Sequence, residues 1–191
     1  VKEFKVKDLM VPLAEYATVY HDATLYEAVL ALEKAQQEFD STRYRHRAIL
    51  VLDTSDKVVG KLSQLDVLRA LEPKYKELQE SGSAERYGFS RAFMRSLMKD
   101  YRLWESPLHD ICKKACVIRI DDYIHKPTEG EFVDEEAALD EAIHLLVLGN
   151  HQSLLVTRGD EIVGIIRLTD VFTAIFHIMK ECAIDSNGSS T

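Results

Sequence analysis

The chain has 191 residues, 46% of them hydrophobic and 29% charged, the make-up of a globular protein with apolar material for one large core or two small ones. Its 32 acidic against 24 basic side chains give a formal charge of −8, which opposes nucleic acid or an anionic membrane as a partner but leaves room for one small anion in a local basic pocket. No apolar run approaches the roughly 18 residues of a membrane span, VKEFKVKDLM lacks the apolar core of a secretory signal, and Cys112, Cys116 and Cys182 form neither a disulfide framework nor a zinc set. A cytoplasmic protein without a metal site is expected.

In chain order, a short apolar strand is expected to end near Val19. A helix over DATLYEAVLAL follows, with Leu25, Ala28, Val29 and Leu32 on one stripe and Thr24 and Glu27 at capping-box spacing. RYRHR then sets Arg43, Arg45, His46 and Arg47 ahead of a buried strand over residues 48–52. A second strand covers 57–62, with the polar turn DTSD between them, and a helix begins around Ser63. Residues 72–107 have no counterpart elsewhere in the chain. KYKELQESGSAERYG is polar and broken near 81–83, whereas FSRAFMRSLMKDYRLW places Phe89, Phe93, Leu97, Tyr101 and Trp104 on one helical stripe. That stripe is read as docking on the protein itself or on a dimer partner. A basic amphipathic helix aimed at a membrane or a calmodulin-like partner is the other reading.

HDIC, from His109, echoes KDLM, from Lys7. After the loop YIHKPTEGE (123–131) the first pattern returns. A strand ends near Val133, and a helix carries Leu139, Ala142, Ile143 and Leu146. Strands over 154–157 and 161–166 flank RGDE, and a last helix opens at 167–169. The tail DSNGSST is expected to be disordered.

One supersecondary unit is therefore used twice. TVYHDATLYEAVLAL lies against FVDEEAALDEAIHLL; further on, Gly60 meets Gly164, Asp66 meets Asp170, Val67 meets Val171 and Ala70 meets Ala174. Each unit reads β-α-β-β-α, a mixed α/β (α+β) fold. Its boundaries are 1–72 for the first repeat, 73–107 for an inserted helical linker, 108–182 for the second repeat and 183–191 for the tail. With DATLYEA and EAALDEA at the first helix and KVVGKLSQLD and EIVGIIRLTD at the second, the layout resembles the CBS-domain family, named for cystathionine β-synthase. Members of that family pair two repeats about a pseudo-two-fold axis into a Bateman module. The resemblance spans nearly the whole chain apart from the insert, the 123–131 loop and the tail.

The family's nucleotide signature looks like G-h-x-[ST]-x-x-D, where h is apolar. GKLSQLD fits it with Gly60, Ser63 and Asp66. GIIRLTD keeps Gly164 and Asp170 but has Arg167 where Ser or Thr is usual. The resemblance implies an adenine nucleotide or adenosyl ligand (AMP, ADP, ATP or S-adenosylmethionine) in the cleft between repeats. An aspartate can accept hydrogen bonds from both ribose hydroxyls, and the N–H groups of a first helical turn favour phosphate. Glycine would let the ligand approach the backbone. His46 and Arg47 are expected near phosphates, or else on a solvated loop. Ser63 and Asp66 also form a capping box without any ligand, and Asp170 suits a first turn. Arg167 is either a phosphate contact or a charge that closes the second pocket, so the Ser63–Asp66 cleft is expected to bind better. The implied function is a regulatory sensor, homodimeric, acting on an unidentified client enzyme or transporter. A ligand-free dimerisation scaffold is the alternative. An enzyme is not expected: there is no Walker-A loop, G-x-S-x-G elbow or H-E-x-x-H, and no residue is assigned a catalytic role.

Overall fold

The computed structural model describes residues 4–39, 42–72, 74–75, 78, 90–103 and 110–187, with backbone only for 181–187. The first repeat comprises β2 (Thr18–Tyr20), α2 (Leu25–Glu38), β3 (Ala48–Leu52), β4 (Val58–Ser63) and α3 (Gln64–Leu71). The second comprises β5 (Phe132–Asp134), α6 (Leu139–Leu148), β6 (Ser153–Arg158), β7 (Glu161–Arg167) and α7 (Leu168–Asn187). In both, the first strand runs parallel to the second and the second antiparallel to the third. Both middle strands even carry their irregularity at the same place, between Val51 and Leu52 and between Val156 and Thr157.

The continuous apolar runs AILVL and SLLV are explained by burial on both faces. Ile49 and Val51 enter the first repeat's core, and Leu154 and Val156 enter the second's. The intervening Leu50 and Leu155 point the other way and meet, with Val11, Tyr16 and Ile165, in a third cluster that joins the repeats. Helices α2 and α6 bury Leu25, Ala28 and Leu32, and Leu139, Ala142 and Leu146. Val29, expected on that buried stripe, is instead largely exposed. The Thr24–Glu27 capping box forms as its spacing requires.

The segment leading into each repeat packs on the other one. Helix α1 (Val6–Leu9) buries Val6 in the second core, and β1 (Val11–Pro12) pairs antiparallel with β7. In return, α5 (Ile111–Val117) and the chain after it put Ala115 and Ile120 into the first core. Ile118 there accepts from the N–H of Leu25, and Lys61 and His125 exchange backbone hydrogen bonds. The repeats are thus tied by exchanged segments as well as by the central cluster.

The crossings explain the matched glycines. A Cβ on Gly60 would lie 2.3 Å from Ile124 Cγ2 and 2.8 Å from the His125 carbonyl; one on Gly164 would lie 2.5 Å from the Val11 carbonyl. Gly60 and Gly164 therefore admit a crossing strand of the same protein.

Between the repeats, α4 (Arg91–Asp100) is capped by Ser90 and half-buries Phe93 and Leu97, with Tyr101 just beyond it. Phe89, Trp104 and the stretch 79–89 lie outside the described residues. Helix α7 extends to Asn187, so residues 183–187 are helical where disorder was expected, and 188–191 lie outside the described residues. No helix among the described residues is long and apolar enough to cross a membrane.

Candidate functional site

The start of α3 opens a cavity of about 440 Å³ between the repeats. Its wall takes Ser63, Gln64 and Asp66 from β4 and α3, Arg45, Arg47 and Ala48 from the approach to β3, and His125 and Glu131 from the 123–131 loop. The second repeat contributes the 150–153 turn and Arg167, Leu168 and Thr169 at the opening of α7. Two helix starts therefore converge on one space; the N–H groups of Gln64 and Leu168 already donate to the Arg47 and Gln152 carbonyls, so attraction for an anion rests on the remaining first-turn N–H groups and the helix dipoles.

Ser63 and Asp66 are together here, and their capping box is formed. Asp66 Oδ2 accepts from Ser63 N at 2.9 Å and Oγ at 2.6 Å, while Oδ1 accepts from Arg69 at 3.1 Å. A carboxylate has roughly four lone-pair sites, so these three bonds leave about one for a ribose hydroxyl, and a second hydroxyl would have to displace Arg69 or Ser63 Oγ. The capping and ribose readings are compatible in this geometry for one hydroxyl.

The arginines divide by role. Arg45 and Arg47 are exposed, line the cavity and have no ion pair among the described residues. Arg43 turns to the opposite cleft, donating to the Leu9 carbonyl at 3.0 Å and facing Asp170 at 3.4 Å. His46, by contrast, has no access to the cavity. It is fully buried, with ring centroids of Tyr16 and Phe39 at 4.3 and 4.2 Å. Burial first, then the Arg167 charge, depress His46 to about 4, against opposing pulls from the Glu15 carbonyl and Asp170. His46 is thus placed as a buried side chain away from the cavity wall. Burial likewise pushes the Tyr16 phenol up to about 12.

Arg167 and Asp170 are a buried pair. The Arg167 Nε and Nη2 each lie 2.6 Å from a different Asp170 oxygen, the two-pronged geometry that suits guanidinium and carboxylate. Arg167 Nη1 donates to the Tyr44 carbonyl at 2.6 Å and approaches His46 Nδ1 at 3.4 Å, with the guanidinium over the Phe39 ring at 5.4 Å. Both side chains are under a tenth exposed. The second cleft, of about 280 Å³ around Asp170, Arg43 and His177, thus has its aspartate already engaged by a cation of the protein. Arg167 itself lines the first cavity and bears on the second cleft only through its hold on Asp170.

Sequence reasoning did not single out Lys61, His125 or Glu131, which line the first cavity; His151, the one basic residue ahead of the second repeat's middle strand, lines it too. Glu131 is 2% exposed and accepts from Lys61 Nζ at 2.5 Å and from the Thr128 N–H at 3.0 Å, with His125 Nε2 at 2.8 Å. Burial alone would raise its carboxyl, but these hydrogen bonds hold it down at about 2. The readable signal was T-x-x-E within YIHKPTEGE, a capping box at Thr128 and Glu131.

The sequence matches the CBS domain family over residues 6–73 and 120–177. Among solved structures, the fold is similar to that of CBSX2 in complex with AMP, at 20% identity over 92% of this chain and 98% of that one, with a TM-score of 0.55. It is also similar to the CBS-pair protein CBSX2 from Arabidopsis thaliana, at 17% identity over 94% and 99%, TM-score 0.57. A CBS domain-containing protein of unknown function from Bacillus anthracis is similar at 16% identity over 91% and 94%, TM-score 0.57. No curated protein sequence matches the chain. With both β-α-β-β-α units matched and the tandem arrangement seen in the fold, the chain belongs to the CBS-domain family.

Proposed function

We propose that the protein is a regulatory sensor, without catalytic activity of its own, that binds an adenine nucleotide in the first cleft. The observation that carries this reading is the pairing, in one cavity, of two uncompensated arginines with a carboxylate and a hydroxyl at a helix start. Arg45 and Arg47 suit phosphate, and Asp66 with Ser63 suits ribose. AMP is the first candidate, supported by its presence in the complex of the similar CBSX2; ADP, ATP, adenosine and S-adenosylmethionine are the comparison set. Ligand bound between repeats would favour one arrangement of them by its differential affinity, and so signal to a client enzyme or transporter.

Self-association belongs to the same proposal. Phe172, Phe176 and Met179 form one exposed stripe on α7, and Val147 and Leu148 stand exposed at the end of α6, a patch suited to a second copy of the chain. A cytoplasmic setting fits Cys112 and Cys116, both exposed and free.

Thermal unfolding with each ligand tests the reading. Binding to the native state alone adds about 2.7 kcal/mol at a hundredfold excess over Kd. At about 2–4 °C per kcal/mol for a chain of this size, the shift is about 5–11 °C. Asp66→Ala should remove that shift while costing the fold only about 0.3–1 kcal/mol, the value of a carboxylate in a first helical turn. If no ligand moves the wild type, the nucleotide reading fails and a ligand-free scaffold replaces it.

A further inference from the structure

The charges around the first cavity do not all face a ligand on equal terms. Lys61 is 15% exposed and is held by Glu131, itself 2% exposed. Arg167 is held by Asp170, and Asp66 is met by Arg69. Once these pairs are set against each other, the surplus on the wall is the two positive charges of Arg45 and Arg47. Glu131 is poorly placed for solvent to screen, so its charge is felt across the cavity more fully than that of a surface carboxylate. It comes from the 123–131 loop, which lengthens the second repeat's first connection and has no counterpart in the first repeat.

We propose that Glu131 is a specificity-determining residue: by neutralising Lys61 it sets the cavity's surplus to two positive charges, so that the cleft selects a nucleoside monophosphate over the di- and triphosphate. A phosphate monoester carries about −1.5 to −2 at neutral pH, which matches that surplus. Further phosphates bring negative charge that Arg45 and Arg47 cannot meet. The low titration range of Glu131 keeps the carboxylate ionised throughout the working range. This inference rests on the first cleft being a nucleotide site.

The test is calorimetric titration of AMP, ADP and ATP, without divalent cations, into wild type, Glu131→Gln, Lys61→Met and the double variant. Wild type should bind AMP at least tenfold more tightly than ATP. Glu131→Gln frees the Lys61 charge and should narrow that ratio at least tenfold, while the double variant, with the surplus again two, should return to the wild-type ratio. Lys61→Met leaves Glu131 uncompensated and should weaken AMP at least tenfold, an effect the double variant reverses; this arm stands even if Glu131→Gln does not fold. A wild type that binds ATP as well as AMP, a ratio that narrows less than tenfold in folded Glu131→Gln, or no rescue by the double variant overturns the inference. In those cases AMP still binds the wild type, so the nucleotide reading survives. Absence of binding by every nucleotide overturns both.

Discussion

Replacing Arg167 by alanine would leave the Asp170 carboxylate, 7% exposed, without its two-pronged partner. Breaking a buried ion pair from one side costs roughly 3–5 kcal/mol, because the remaining charge stays desolvated. Arg43 remains within 3.4 Å of the same carboxylate and is 30% exposed, so it compensates in part and places the expected loss near the lower end, about 3 kcal/mol. The Tyr44 carbonyl also loses its donor, which adds to the loss. At about 2–4 °C per kcal/mol, the melting temperature should fall by about 6–12 °C. Urea unfolding of Arg167→Ala, Asp170→Asn and the double variant at neutral pH measures this directly. The double variant should be destabilised by clearly less than the sum of the single changes, since it leaves neither charge stranded. A loss below about 1 kcal/mol in Arg167→Ala would refute the argument and return Arg167 to the role of a dispensable cation.

Gly60→Ala and Gly164→Ala should each lose about 1–3 kcal/mol in urea, because the added methyl meets the crossing segment; wild-type stability in both would show that the crossings are loose. Acid should weaken the fold through His46. With its folded value near 4 against an ordinary 6.5, its contribution is intact above pH 6.5 and is lost as the pH falls toward 4, about 2 kcal/mol between pH 7 and pH 5. His46→Gln should remove that part of the pH dependence, and an unchanged profile counts against a buried neutral imidazole. Sedimentation at micromolar concentration should give a dimer that Phe172→Glu with Phe176→Glu converts to monomer; a monomeric wild type removes the self-association proposal.

The repeat was legible because its causes are local. Apolar periodicity marked Leu25, Ala28 and Leu32 and their partners Leu139, Ala142 and Leu146, and the continuous runs AILVL and SLLV marked strands buried on both faces. Val29 failed because the buried stripe is narrower than periodicity alone suggests. The glycines announced a close approach without saying of what, and the approaching chain, Val11 for Gly164, lies more than 150 residues away. His46 sits among arginines in sequence but takes the opposite side of the extended segment, which turns it into the core while Arg45 and Arg47 face the cavity. Arg167 was visible as a departure from the pattern, and only the fold shows that its guanidinium has Asp170 and Tyr44 to hold. Lys61 and Glu131 stand 70 residues apart, so a buried charge pair between them leaves no local mark.

The central claim, one nucleotide in the first cleft, is tested most directly by isothermal titration of AMP into the wild type and into Asp66→Ala and Asp170→Ala. The account predicts one AMP per chain, loss of binding in Asp66→Ala, and retained stoichiometry in Asp170→Ala. Two AMP per chain, or binding that survives Asp66→Ala and disappears in Asp170→Ala, would contradict it.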